Sequence, residues 1–314
     1  MSQRATTLIL GKAAEHPIDI RLTLQRYLSF GEDAANRWDG RTFSKVLRFA
    51  SGLHCVQITD DGDLRVVCTP ALPDEQSVVL LEKHARHILG LDFDLKAFAG
   101  HAAEDDVLRP LVQRYSGLRP TLVADAFEML VTSISAQQIN LRFAFKVRSR
   151  LVRAFGTPFS FQGETLHAFP TPEQLAGTDP ARLHELQFTR RKAEYIVGLA
   201  EKMASGELDQ ERLYQLPEAE IREKLLAVRG LGNWCVDWFL ARGAGYGAAF
   251  PAGDLGVRKA VQFFYFDDQN VDEATLRRFA RRWGIHSNLA VHYLLAGWMD
   301  AAGKNTPAKS TSRS

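Results

Sequence analysis

Apolar positions in the chain change their period near residue 95. Before it, Cys55-Val56-Gln57-Ile58-Thr59 and Asp63-Leu64-Arg65-Val66-Val67-Cys68 are short, β-prone runs on either side of Asp60-Asp61-Gly62, a sequence suited to a tight hairpin turn. Asp19-Ile20-Arg21-Leu22 alternates polar with apolar, which predicts a half-buried strand. From Glu75 to Leu89 the period becomes helical, with Leu80, Leu81, His84 and Ile88 on one face and Gly90 as a stop. Residues 1–95 are therefore expected to form a β-rich α/β domain.

Past Leu91 the pattern stays helical almost to the end. Asp125 is placed to cap a helix bearing Phe127, Leu130, Val131 and Ile134 on one face. A polar break at Gln137-Gln138 precedes a second helix through Phe143, Val147 and Leu151, closed by Gly156. Phe169-Pro170-Thr171-Pro172 and Asp179-Pro180 read as further helix starts. Helices are then predicted from Arg191 to Ser205, Pro217 to Val228, Asn233 to Arg242, Leu255 to Phe264, Glu273 to Trp283 and Asn288 to Ala302. The class is α+β: the β-rich unit, a mostly α-helical region over 96–302 expected as two subdomains around a cleft, and a disordered basic tail over 303–314.

Composition excludes more than it identifies. The hydrophobic fraction of 46% and charged fraction of 24% are those of a globular chain. Lys plus Arg number 39 against 37 Asp plus Glu, a net charge of +2, so any polyanion partner must be held by local patches. No apolar run approaches the ~18 residues of a membrane span, and nothing near the start resembles a targeting signal. These readings lead us to expect a cytoplasmic monomer that acts away from membranes. The three cysteines, Cys55, Cys68 and Cys235, are scattered and too few for a four-cysteine cluster.

The most informative stretch runs from Lys224 to Asp237. An apolar helix ends at Val228, Gly230-Leu231-Gly232 turns the chain, and another helix begins at once. Glycines there let a foreign backbone come close, and the amides opening the next helix suit a phosphate. Leu231 is expected to point inward and pin the two helices. Such contacts hold a nucleic-acid backbone without reading its sequence. Read alone, the same residues also describe an ordinary turn between helices.

About twenty residues downstream comes Phe250-Pro251-Ala252-Gly253-Asp254-Leu255-Gly256-Val257-Arg258-Lys259. The Gly-Leu-Gly hairpin followed by this Gly-Asp resembles the helix-hairpin-helix DNA glycosylases. Gly117-Leu118-Arg119-Pro120, Ile134-Ser135-Ala136-Gln137-Gln138-Ile139, Phe169-Pro170-Thr171-Pro172 and Arg190-Arg191-Lys192-Ala193 add to the likeness. Their order is most similar to the 3-methyladenine DNA glycosylase II, or AlkA-like, branch, over about residues 110 to 300. The resemblance implies base-excision repair: extrusion of an alkylated base of the 3-methyladenine type from double-stranded DNA, then hydrolysis to an abasic site. Relatives that also cleave the strand carry a lysine where this chain has Trp234, so a monofunctional enzyme is expected. No redox cofactor or catalytic metal is implied; a monovalent cation on the carbonyls of Leu226, Val228 and Leu231 is.

By the same resemblance Asp254 is the catalytic carboxylate. Hydrolysis of an N-glycosidic bond builds positive charge on the sugar, and a carboxylate near C1′ stabilises it and can orient water. Asp254 also suits a helix N-cap, and Asp237 is the competing acid, although its place early in the hairpin's second helix suits a structural hydrogen bond better. Trp234 and Trp238 lie four apart, on one helix face, where an electron-poor base can stack; cation–π attraction is worth roughly 0.5–2 kcal/mol. Gln138 corresponds to the side chain that fills the gap left by the extruded base. Gly230, Leu231, Gly232, Arg258 and Lys259 are the expected backbone contacts. Two basic runs, Arg142, Lys146, Arg148, Arg150, Arg153 and Arg277, Arg278, Arg281, Arg282, are candidate phosphate partners or merely solvated faces. His286 stands where relatives have a pocket aromatic. The competing functions are a glycosylase for oxidised or mismatched bases and a non-catalytic lesion sensor.

Overall fold

The computed structural model of the chain describes residues 4–12 and 17–303, so all but the first residue of the expected tail lies outside the described residues. Strands β1 (Thr6–Lys12), β2 (Arg37–Trp38), β3 (Thr42–Phe49), β4 (Gly52–Asp60) and β5 (Asp63–Thr69) form an antiparallel sheet in the order β1-β5-β4-β3-β2. The expected hairpin is β4–β5, where the Asp60 carboxylate accepts the Gly62 N–H at 3.1 Å and Gly62 takes a φ of 101°. Phe43, Val56, Ile58, Leu64 and Val66 pack in one cluster with Leu81, Ala85 and Ile88.

The predicted strand at Asp19-Ile20-Arg21-Leu22 is instead helical. Asp19 caps α1 (Ile20–Leu24) by accepting the Leu22 N–H at 2.9 Å, and Ile20, Thr23 and Leu24 are buried at helical spacing. Four alternating residues fit both periods, and the side-chain cap decides between them. The helix expected after Glu75 is α2 (Glu75–Ile88), capped by Asp74. Its packed face runs through Ser77, Leu81, Ala85 and Ile88, while Leu80 is left exposed.

In the helical part, α3 (Ala126–Ala136) starts at Asp125, whose carboxylate accepts the Glu128 N–H at 2.7 Å, and α4 (Leu141–Phe155) starts at Asn140. Gly156 closes α4 for a steric reason: a Cβ there would lie 2.4 Å from the carbonyls of Val152 and Ala168. That contact belongs to an unpredicted hairpin, β6 (Thr157–Phe161) and β7 (Glu164–Ala168), turned by Gln162-Gly163 with both residues at positive φ. Further along the chain come α5 (Arg190–Ala204), α6 (Glu218–Leu226), α7 (Asn233–Trp238), α8 (Leu255–Tyr265), α9 (Glu273–Ala280) and α10 (Ser287–Ala301). Two expected helices end early: α7 passes into a π-helical turn over Phe239–Gly243, and α9 into a 3-10 turn where Gly284 takes a φ of 50°.

Buried side chains in this part form two clusters. One joins α3, α5, α6 and α7; the other brings Leu95 to Leu118 against Val257 to Leu294. Trp238 packs against both. The sheet is tied to α3 and α4 by buried charges. Glu128 accepts from Lys45 Nζ at 2.7 Å, Asn36 Nδ2 at 2.8 Å and Arg148 Nη1 at 3.3 Å, and Arg148 also pairs with Asp33. Burial alone would raise the Glu128 pKa, but Lys45 and Arg148 outweigh it and hold the carboxyl below its usual range. No helix among the described residues is long and apolar enough to cross a membrane.

Candidate active site

The Gly-Leu-Gly turn joins α6 to α7 as expected. Leu231 is buried between the helices, and its N–H donates to the Val228 carbonyl at 3.1 Å. Gly230 takes a φ of 97°, and a Cβ on it would lie 2.3 Å from the Tyr195 ring, so no larger residue fits. Helix α5 thus supports the turn through Tyr195, and the Arg229 guanidinium lies over the same ring while pairing with Glu194.

Helix α7 carries Trp234 and Trp238 toward Asp254, the N-cap of α8. The Asp254 carboxylate receives four hydrogen bonds. Oδ1 accepts the N–H groups of Gly256 at 2.8 Å and Val257 at 3.1 Å; Oδ2 accepts Trp234 Nε1 at 2.9 Å and Trp238 Nε1 at 3.1 Å. Helix capping and a position between the indoles therefore coexist in one residue. Glycine at 256 keeps the approach open, since a Cβ there would sit 3.1 Å from Oδ1. Trp234, Trp238, Asp254 and Gly256 line a cavity of about 1680 Å³, large enough for an extruded nucleotide.

Gln138 lines the same cavity from the break between α3 and α4, with a φ of 56° that non-glycine residues rarely adopt. Its neighbours hold that bend. Lys192 Nζ donates to the carbonyls of Ser135 at 2.9 Å and Gln137 at 2.7 Å, and Gln137 Nε2 donates to the Gly230 carbonyl at 2.8 Å. The bend and the hairpin are joined by one side chain.

Several expectations need correction. Asp237 does not compete for the site: it is 1% exposed and paired with Arg222 at 2.7 Å and Arg277 at 2.6 Å. Those contacts commit Arg277, which also binds Glu273, to ion pairs within the fold. Arg148 is likewise committed to Glu128 and Asp33, so it drops out of the first basic run. Arg258 turns toward the Asn270 side chain and the Val271 carbonyl at 3.4 Å, whereas Lys259 is exposed. His286 packs near His101 and Phe98 and does not line the cavity. From the last helix the cavity instead receives His292 and Trp298, with Arg26, Thr121 and Arg242 from elsewhere. The Arg242 guanidinium carbon lies 5.3 Å from the Trp238 ring centroid, and both side chains line the cavity.

Comparison with known proteins gives the family. Residues 131–285 match the model of the HhH-GPD superfamily base excision DNA repair proteins. A DNA-3-methyladenine glycosylase of Bacillus subtilis is 31% identical over 212 residues, 68% of this chain and 70% of that protein. DNA-3-methyladenine glycosylase 2 of Escherichia coli is 28% identical over 184 residues, 58% of this chain and 62% of its own length. The solved 3-methyladenine DNA glycosylase of Archaeoglobus fulgidus superposes with a TM-score of 0.82 at 25% identity, covering 93% of this chain and 97% of that one. The chain thus belongs to the HhH-GPD superfamily of base-excision DNA repair proteins, within its 3-methyladenine DNA glycosylase, AlkA-like branch.

Proposed function

We propose that the protein is a monofunctional DNA glycosylase that removes alkylated bases, including the 3-methyladenine type, from duplex DNA and leaves an abasic site. The observation that carries the reading is the Asp254 carboxylate, held between two indole N–H groups at a cavity that also receives the Gly230–Gly232 turn.

Binding begins at the Gly230–Gly232 turn and Lys259, which hold phosphates, while Gln138 enters the duplex and takes the place of the extruded base. Asp254 then faces C1′. A carboxylate offers about four lone-pair directions, and four N–H donors occupy them, so the group is fixed in orientation while keeping its charge. Its first contribution is electrostatic: a negative charge held beside the developing sugar cation, with no reorganisation needed at the moment of bond breaking. Accepting a proton from water requires one indole N–H to let go. An N-alkylated purine departs as a neutral base, so no second acid is needed.

Strand cleavage through a Schiff base needs an amine. Position 234 offers an indole, and Lys192, the lysine that lines the cavity among the described residues, spends its ammonium on two carbonyls at the Gln138 bend. Asp254→Asn tests the chemistry: base release from methylated DNA should fall at least about 10²–10³-fold while affinity for abasic-site DNA stays near wild type. Unimpaired release by this variant would overturn the assignment. Borohydride trapping of an enzyme–DNA adduct would overturn the monofunctional reading and direct attention to Lys192.

A further inference from the structure

The cavity wall beside Trp238 holds polar atoms that the protein leaves without partners. His292 is 7% exposed, and its Nδ1 lies 2.8 Å from the Asn288 carbonyl. A carbonyl only accepts, so Nδ1 carries the hydrogen and Nε2 keeps an acceptor lone pair. Among the described residues that Nε2 has no hydrogen-bond partner; neither do Arg26 Nε and Ser133 Oγ, and all three residues line the cavity. Burial, and then the charges of Arg242 and Arg26, push the His292 pKa well below its usual value and keep the ring neutral.

Two guanidiniums share this wall. Arg242 Nη1 donates to the Thr121 carbonyl at 3.2 Å and to Thr121 Oγ1 at 2.9 Å; Arg26 Nη1 approaches the same hydroxyl at 3.4 Å. Neither arginine forms a salt bridge among the described residues. Buried donors left beside a buried unfilled acceptor are costly, and such a set is stabilised when a ligand brings the complementary groups.

Given the glycosylase reading above, we propose that Arg26, Arg242 and His292 read the edge of the extruded base, and that they select a lactam edge, a ring carbonyl next to an N–H. A carbonyl oxygen has two lone pairs and can accept from both guanidiniums, whereas a ring nitrogen has one. The neighbouring N–H donates to His292 Nε2. A 6-oxopurine supplies this pair through O6 and N1–H. An adenine-type base sets an amino group, itself a donor, where the carbonyl should be. Stacking on indole does not discriminate between the two; unpaired polar groups left behind by the wrong edge do.

Methylated duplex DNA tests this in one tube, because it contains both 7-methylguanine and 3-methyladenine. Both are cationic in DNA, so their comparison separates edge from charge. Mass spectrometry of the released bases gives the acceleration of each over its spontaneous loss. The wild-type protein should accelerate 7-methylguanine loss more than 3-methyladenine loss. Arg242→Met and His292→Leu should each lower that ratio by about tenfold or more. A fault in folding or in the chemical step lowers both rates together and leaves the ratio in place, so an unchanged ratio in both variants overturns the proposal. A wild-type preference for 3-methyladenine overturns it without any variant. Release of neither base would instead overturn the glycosylase reading.

Discussion

Asp237 and Asp254 sit on consecutive parts of the chain and meet opposite fates. Asp237 is sealed between α6 and α9, and its two oxygens take one guanidinium each, from Arg222 and Arg277. Asp254 is bound as thoroughly, but every donor is a neutral N–H. Ion pairing spends the charge of the first on holding helices together. Neutral donors orient the second while leaving its charge for whatever enters the cavity. Within this site the identity of the donors, more than burial or hydrogen-bond number, distinguishes a structural carboxylate from one able to stabilise a cation.

The largest effects should come from removing each charge in turn. For Asp254→Asn the expected loss is in base release, at least about 10²–10³-fold, with the melting transition almost in place. Loss of DNA binding alongside chemistry would break the contrast. Asp237→Asn should do the reverse: about 2–3 kcal/mol of stability lost in urea unfolding, less than for a fully sealed pair because Arg222 and Arg277 reach solvent and are partly screened. Activity per folded molecule should survive. A variant that folds normally but releases no base would place Asp237 in the chemistry after all.

The contrast was only half legible in the sequence. The Gly-Leu-Gly turn and the following Gly-Asp announce themselves locally, because hairpin geometry and helix capping depend on residues within a few positions. The polar wall does not. Arg26 and Thr121 are 95 residues apart, and Thr121 and Arg242 are 121 apart, so no local pattern joins them. The basic runs misled for the same reason. Arg148 and Arg277 look like surface charge until the acids that neutralise them, Asp33, Glu128 and Asp237, arrive from distant segments. The β6–β7 hairpin is hard to read from sequence because its strands are only five residues each, β6 contains Pro158, and Gln162 adopts a positive φ that glutamine does not advertise.

A milder test touches the donors instead of the acid. Trp234→Phe removes one N–H from Asp254 Oδ2 while keeping most of the aromatic wall. One charge-assisted hydrogen bond is worth about 1.5–3 kcal/mol, an upper limit where water can replace the indole. We expect base release to fall roughly 5–30-fold, chiefly in kcat, with little change in affinity for abasic-site DNA. A rise in kcat would mean that an unfilled lone pair on Asp254 is what the reaction needs, making general-base action the larger of its two roles.

Asp125 completes the comparison as a carboxylate with a cap but, among the described residues, no ion pair. It accepts the Glu128 N–H at 2.7 Å, yet burial, reinforced by the charge of Glu128, pushes its pKa up to about 6. The unfolded chain would titrate near the ordinary aspartate value of about 3.9. The native state therefore holds the proton more tightly. Its stabilising contribution is complete below the unfolded value and is lost as pH rises through about 6. Asparagine caps helices as well as aspartate and carries no charge. Asp125→Asn should thus remove a pH dependence of roughly 1–3 kcal/mol between pH 4 and 6 and leave the variant the more stable protein at pH 7.5. The readout is the difference between wild-type and variant urea midpoints across that range, since Glu128, held below its usual pKa, gives both proteins the same opposing slope in acid. A flat difference would mean that Asp125 keeps its charge in the fold despite its burial, and that a single capping N–H is enough to hold it.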